Sequence, residues 1–289
     1  MSFPRMSQIA LLLMLSACAA GRAPEASNAP VSETQPRTAE TAAEAPAPEL
    51  IEFKLGPHRF ALPSYYFADE QGPDFQGGVT LALLWPELKP YPPGNGYWRQ
   101  TSGPMRHHRV LVSFSEVGVP IDSLPERHVT LEADDNPNDP SMNIALRIRQ
   151  PDRFRLEHYI VDLEKLTRYL AKIGGRPPKP AAFYIGSDWD WFIGRDGQGR
   201  VRTVIKCDDS REPEGFEIRR EMLIEIPGSE QLPLCSSHLF SLPDYSLAVT
   251  ASYHRPILRD WQRIELAIRE IMKTAYRGPI PKISGETHP

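Results

Sequence analysis

The stretch YSLAVTASYHRPILRDWQRIELAIREIMKTAYRGP, residues 245–279, changes its hydrophobic period part-way along. Tyr245, Leu247, Val249, Ala251 and Tyr253 alternate with small or polar residues, the period-two pattern of a strand with one buried face. From Pro256 onward, Leu258, Trp261, Ile264, Ala267, Ile268, Ile271 and Met272 recur at three- and four-residue spacing, a broad apolar stripe along a helix. Pro256 suits the first turn, Glu265 and Arg269 stand one turn apart with opposite charge, and Gly278-Pro279 stops the run. The spacing therefore predicts a strand over 245–253 and an amphipathic helix over 256–276 that covers a sheet. Such a helix can also serve a partner groove or a membrane, but covering a sheet is its commoner use.

Working outward, other segments repeat the strand pattern. Val79, Leu81, Leu83 and Trp85 fall on one face. Met142, Ile144, Leu146 and Ile148 alternate with Asn143, Ala145, Arg147 and Arg149, then turn at Gln150-Pro151-Asp152 and continue through Phe154, Leu156 and Ile160. Trp189, Trp191 and Ile193 lead into Asp196-Gly197-Gln198-Gly199 and return through Val201, Thr203 and Ile205, a second hairpin. Phe216, Ile218, Met222, Ile224 and Ile226 read as one half-buried strand, and Leu163, Leu166, Leu170 and Ile173 as a helix ended by Gly174-Gly175. The expected fold class is α+β: a largely antiparallel sheet with the C-terminal helix packed on it.

Composition supports one such domain. The chain has 289 residues, 40% of them hydrophobic and 24% charged, which is ordinary globular usage. Its 33 Lys and Arg against 37 Asp and Glu give a net charge of −4, so nothing suggests a polyanionic partner such as nucleic acid. The 30 prolines are about twice average usage and argue against a helical bundle.

The first residues have a different character. Arg5 precedes the apolar run Ile9–Leu15, which is far shorter than the roughly 20 residues of a membrane-spanning helix. Small residues follow, as in a secretory signal peptide. Leu15-Ser16-Ala17-Cys18 resembles the lipobox of bacterial lipoproteins, in which the Cys thiol receives diacylglycerol and the peptide before it is removed. That likeness implies a signal peptide over 1–17 and lipidation at Cys18. With Ala19 rather than Asp next, it also implies an outer-membrane anchor facing the periplasm. The alternative is a plain secretory signal with an incidental Cys. Residues 18–48 are rich in Ala, Pro, Glu, Ser and Thr, with Val31 the sole large apolar residue after Cys18, so they read as a disordered tether. Residues 49–278 form the single domain, and 279–289 a flexible tail.

Cys18 set aside, Cys207 and Cys235 remain as an even pair, expected as a disulfide in an oxidising compartment. Two alternatives stay open: a free thiol, or a metal site using Cys207 with Cys235 and His238.

Catalytic motifs are missing from the chain: it has no G-x-S-x-G, S-x-x-K, H-E-x-x-H, P-loop or G-x-G-x-x-G, and no cofactor is expected. The acidic run Asp134–Asp139 fails as a calcium loop, because Asp139 and Ala145 stand where Gly and Glu are needed. His107-His108, flanked by Arg106 and Arg109, read as exposed polar residues on a strand. Asp188 and Asp190 read as surface carboxylates opposite a tryptophan core face. One segment suggests binding instead: the Pro- and Gly-rich run Trp85–Arg99 presents Tyr91, Tyr97, Trp98 and Arg99, which are large, stiff contact residues. The same aromatics could instead pin the loop to its own domain.

The lipobox, together with Cys235, Phe240, the strand ending at Tyr253 and the series Leu258, Trp261, Ile264, Ile268 and Ile271, resembles periplasmic lipoproteins proposed as immunity proteins. Those act against toxins of contact-dependent secretion systems, the type VI kind among them. The likeness is strongest over Pro233–Ala275 and looser around Phe60-Ala61-Leu62-Pro63 and Leu84-Trp85-Pro86. It implies a non-enzymatic inhibitor that occludes a secreted effector, and it carries over no inhibitory residue. The rival readings are a general lipoprotein of envelope or cell-wall assembly, and a hydrolase with a dispersed site.

Overall fold

The computed structural model describes residues 49–69, 72–74, 78–92, 102, 105–174, 190–211, 213–229 and 232–281. The segments expected as signal peptide and tether, Cys18 included, lie outside them. In chain order the elements begin with the hairpin β1 (Leu50–Leu55) and β2 (His58–Pro63), followed by β3 (Thr80–Leu84), β4 (Lys89–Pro90) and β5 (Arg109–Glu116). A single-turn helix α1 (Leu124–Arg127) precedes the hairpin β6 (Ile148–Arg153) and β7 (Leu156–Ile160), then helix α2 (Leu163–Gly174). Next come β8 (Asp190–Arg195), β9 (Val201–Cys207), β10 (Phe216–Arg219) and β11 (Met222–Glu225). The chain continues through β12 (Leu234–Leu242), β13 (Leu247–His254), helix α3 (Trp261–Ala275) and β14 (Tyr276–Pro279).

Most of these strands form one nine-stranded antiparallel sheet in the order β4-β3-β5-β13-β12-β9-β8-β7-β6. A three-stranded sheet, β1-β2-β14, and the two-stranded β10–β11 complete the fold. The expected α+β class holds, with α3 packed on the sheets. Ile264, Ile268 and Met272 of α3 join a core with Phe53, Phe60, Leu81, Val112, Phe240 and Val249. Trp191, Ile193, Val201 and Val204 build a second, smaller core on the other face of the large sheet, with Val129 and Ile144 beneath the 121–147 segment. The helix expected over 163–174 is present, although Ile173 at its end is exposed.

Because both faces of β8 are covered, Asp190 is buried, which corrects the expectation of a surface carboxylate opposite the tryptophans. It accepts from the Ser210 amide at 3.1 Å and pairs with His158 Nε2 at 3.0 Å. The His158 ring lies flat on Phe192, 4.4 Å away. Asp188 falls outside the described residues.

Three further expectations are revised. The strand expected from Met142 starts only at Ile148, because the Asn143 side chain accepts from the Ala145 amide and caps a short 3-10 turn over 144–146. Its hairpin reverses at Phe154-Arg155, both at positive φ (55° and 66°), rather than at Gln150–Asp152. The single strand expected over 216–226 is a tight hairpin turning at Arg220-Glu221, again at positive φ. The reversal at Asp196–Gly199 is where the sequence placed it, with Asp196 Oδ1 accepting from the Gln198 and Arg200 amides. At the C-terminal end α3 gives way to β14, where Tyr276 pairs with Phe60 and Pro279 with His58, so Pro279 belongs to a sheet.

Candidate functional site

A groove of about 370 Å3 opens where three segments meet. One wall is the β6–β7 turn with Arg153 and Phe154. A second is β10, with Phe216 and Ile218. The third is the 3-10 stretch Arg255–Asp260 that leads into α3, contributing Pro256, Leu258 and Arg259. Trp261, the first residue of α3, donates from Nε1 to the Phe154 carbonyl at 3.0 Å and so fixes the turn to the helix.

The floor is held by Arg255, only 2% exposed. Its Nε donates to Glu214 Oε2 at 3.0 Å and its Nη1 to the carbonyls of Asp208 and Asp209. Those residues directly follow Cys207, which is disulfide-bonded to Cys235 across the β9–β12 pairing. The expected bridge is therefore present, and both the free-thiol and the metal alternatives give way to it. His238 is also engaged elsewhere, with Tyr253 Oη at 3.0 Å and Glu265 Oε1 at 3.2 Å. Together with Thr203 and Arg269, which also reach Glu265, this network ties α3 to the sheet. Burial pushes the Tyr253 hydroxyl well above its ordinary range, so it stays protonated.

The bridge closes an excursion, residues 208–234, that carries the β10–β11 hairpin. Phe216 and Leu223 of the hairpin are buried, and the Leu223 amide donates to His108 Nε2 at 3.0 Å. His108 Nδ1 stands 3.0 Å from the Trp85 carbonyl, so the ring is neutral with its proton on Nδ1. Burial lowers its pKa, consistent with that state. His107 Nδ1 meets His254 Nε2 at 3.1 Å, and Glu225 of β11 pairs with Arg106 at 3.0 Å. His107 and His108 thus sit on a 3-10 turn as inner supports of the hairpin, not as exposed residues on a strand. Flat hydropathy around them gave no sign of this.

Trp85 is fully buried beside the groove, donating from Nε1 to Asp260 Oδ2 at 2.8 Å, with the Arg259 guanidinium 5.5 Å above its ring. The Trp85–Pro86 peptide is cis, and the Pro86 carbonyl accepts from Arg263 at 2.9 Å. Tyr91 is 1% exposed and donates to the Met105 carbonyl at 3.2 Å, while burial moves its hydroxyl up to about 12. It is a buried side chain of the domain, not an exposed contact. Tyr97, Trp98 and Arg99 lie outside the described residues. In the acidic run 134–139, two carboxylates serve local turns, Asp135 accepting from the Glu132 amide and Asp139 from Ser141. Among the described residues, no cluster of three His, Cys, Asp or Glu is placed to hold a metal.

The fold itself has a counterpart among solved structures. It is similar to an immunity protein of the Stenotrophomonas maltophilia type IV secretion system. The two share 28% identity at a TM-score of 0.66, over 79% of this chain and 94% of that one. No family model matches the chain, and no curated protein is similar to it. The likeness supports the immunity-protein type that the sequence resembles, whereas the secretion system named for the neighbour is type IV, not type VI.

Proposed function

We propose that this chain is an immunity protein that binds and neutralises a secreted antibacterial effector by occlusion, without chemistry of its own. The observation that carries the reading is the similarity, across most of both chains, to an immunity protein of a secretion system. The buried disulfide supports the same reading, because such bridges persist in oxidising compartments. The lipobox-like Leu15-Ser16-Ala17-Cys18 supports a lipid anchor on Cys18 that holds the domain at the periplasmic face of the outer membrane. From there it meets an incoming effector before the effector reaches wall or lipid.

The test is a growth competition combined with purified components. A strain lacking this gene is expected to be killed by siblings that keep it and secrete the cognate effector. The purified domain is expected to bind that effector and suppress its activity. A deletion strain that grows poorly without any competitor, and a domain that binds no such effector, would favour a role in envelope assembly instead.

A further inference from the structure

We infer that the groove between the β6–β7 turn, β10 and the Arg255–Asp260 stretch seats an acidic segment of the partner protein. In this arrangement a carboxylate meets Arg153 and Arg259 at the rim, and an aromatic or branched aliphatic neighbour lies against Phe154 and Ile218. The inference deepens the effector-binding reading and rests on it.

Charge singles this groove out. Its lining carries three guanidiniums against the one carboxylate of Glu214, on a protein whose net charge is −4. A groove of about 310 Å3 beside α1 sets Arg127 and Lys206 against Glu132 and Asp135, and one of about 290 Å3 along α3 sets Lys89 against Glu270. Both of those are balanced. In the groove that Arg153 and Arg259 line, Arg255 is buried in its own hydrogen bonds and serves as floor, leaving two arginines at the rim with side chains 43% and 40% exposed.

Their existing ion pairs are long. Arg153 lies 3.6 Å from Glu214, which Arg255 already holds at 3.0 Å. Arg259 lies 3.7 Å from Asp260, whose Oδ2 accepts from Trp85 and whose Oδ1 faces Arg263 at 3.3 Å. Each rim guanidinium instead rests on an aromatic ring, Arg153 on Phe154 at 5.0 Å and Arg259 on Trp85 at 5.5 Å. Stacking orients the planar fork without consuming its N–H donors, the state in which arginine grips a carboxylate with two parallel bonds. Phe154, 37% exposed, supplies apolar area next to that charge. The disulfide, the two tight turns and the Arg255 clamp hold the walls in place beforehand, so little ordering cost remains for binding.

The experiment uses the full chain and the effector that the competition test identifies. Charge reversals Arg153→Glu and Arg259→Glu, singly and together, are expected to weaken binding by roughly 30-fold or more each, the scale of an interface hot spot. Arg127→Glu in the balanced groove is expected to leave affinity within about 3-fold. Melting temperatures identify any variant that fails to fold, and Arg153→Gln and Arg259→Gln then replace it. A folded double reversal that still neutralises the effector as wild type does overturns the groove while leaving the function standing.

A second probe needs no effector: the peptide acetyl-Ala-Phe-Glu-Leu-Ala-amide and its Gln analogue, followed by NMR. The Glu peptide is expected to shift Phe154 and Ile218 resonances at several-fold lower concentration than the Gln peptide. Equal responses, or none, overturn the groove assignment. A wild-type protein that binds no effector but discriminates the peptides overturns the immunity reading alone.

Discussion

His254 and His107 face each other across 3.1 Å, a contact that is stable while they share a single proton. Burial, and then the neighbouring His107, lower His254 to about 4, and burial followed by Arg106 lowers His107. Glu225 pulls His107 the other way from 3.2 Å, while Arg109 adds to the depression of His254. In the unfolded chain both rings titrate near the ordinary value of about 6.5. Between pH 6.5 and 4 the unfolded state therefore binds protons that the folded state refuses, so stability falls on acidification and recovers as pH rises. The His254 shift corresponds to at most about 3 kcal/mol, reached near pH 4. Urea unfolding of wild type and His254→Gln at pH 7, 5.5 and 4.5 reads this directly. The variant is expected to lose less stability than wild type across that window, and parallel losses would assign the sensitivity to other groups. Arg255 is the second residue that matters out of proportion to its size. Replacing it with Met removes the guanidinium that donates to the carbonyls of Asp208 and Asp209 and to the Glu214 carboxylate. A loss of roughly 2 kcal/mol in denaturant unfolding is expected, the scale of losing hydrogen bonds made by a buried charged group.

At the scale of elements, the β10–β11 turn carries local strain. Arg220 and Glu221 both occupy the left-handed region, with φ of 49° and 62°, where a side chain costs roughly 1 kcal/mol and glycine nothing. Glu221→Gly is thus expected to stabilise the domain by about 0.5–1 kcal/mol, a rise in melting temperature of roughly 1–4 °C for a domain of this size. A thermal scan showing a fall instead would place a needed contact on the Glu221 side chain. The same strain explains what the sequence concealed. Asn, Asp and Gly announce tight hairpin turns, so the Asp196–Gly199 reversal was legible. Phe154-Arg155 and Arg220-Glu221 carry no such signal and are apolar or charged enough to continue a strand pattern. Pro151 is a turn signal that the fold does not use, and on the edge strand β6 its missing amide is harmless. Strand and helix periodicity along 245–276 was legible, because one face of each element is buried and the other is wet. β8 broke that rule, since both its faces are covered and Asp190 is paired inside.

For the whole molecule, the candidate site was legible only as its supports. Cys207 and Cys235 were readable as a pair, whereas the groove is assembled from Phe154, Ile218, Leu258 and Arg259, which lie on segments far apart in sequence. No local pattern marks such a convergence, and the aromatic run that did stand out begins with Trp85 and Tyr91, both buried. The disulfide links the chain's environment to this site. It joins residues 28 apart, and in the loop-entropy picture closing that loop stabilises the fold by about 3.5 kcal/mol. Its loop also carries one groove wall, so opening it removes one restraint on β10, while the Arg255 clamp and the Leu223–His108 bond remain. Two consequences separate in experiment. Cys207→Ser/Cys235→Ser, or wild type held in reductant, is expected to unfold at lower denaturant by roughly that energy. At temperatures where the reduced protein remains folded, its effector affinity is expected to drop as well, because the wall must be ordered again at each encounter. If reduction lowered the melting temperature but left affinity unchanged, the bridge would be a brace for the sheet alone, and contact would be made by another surface.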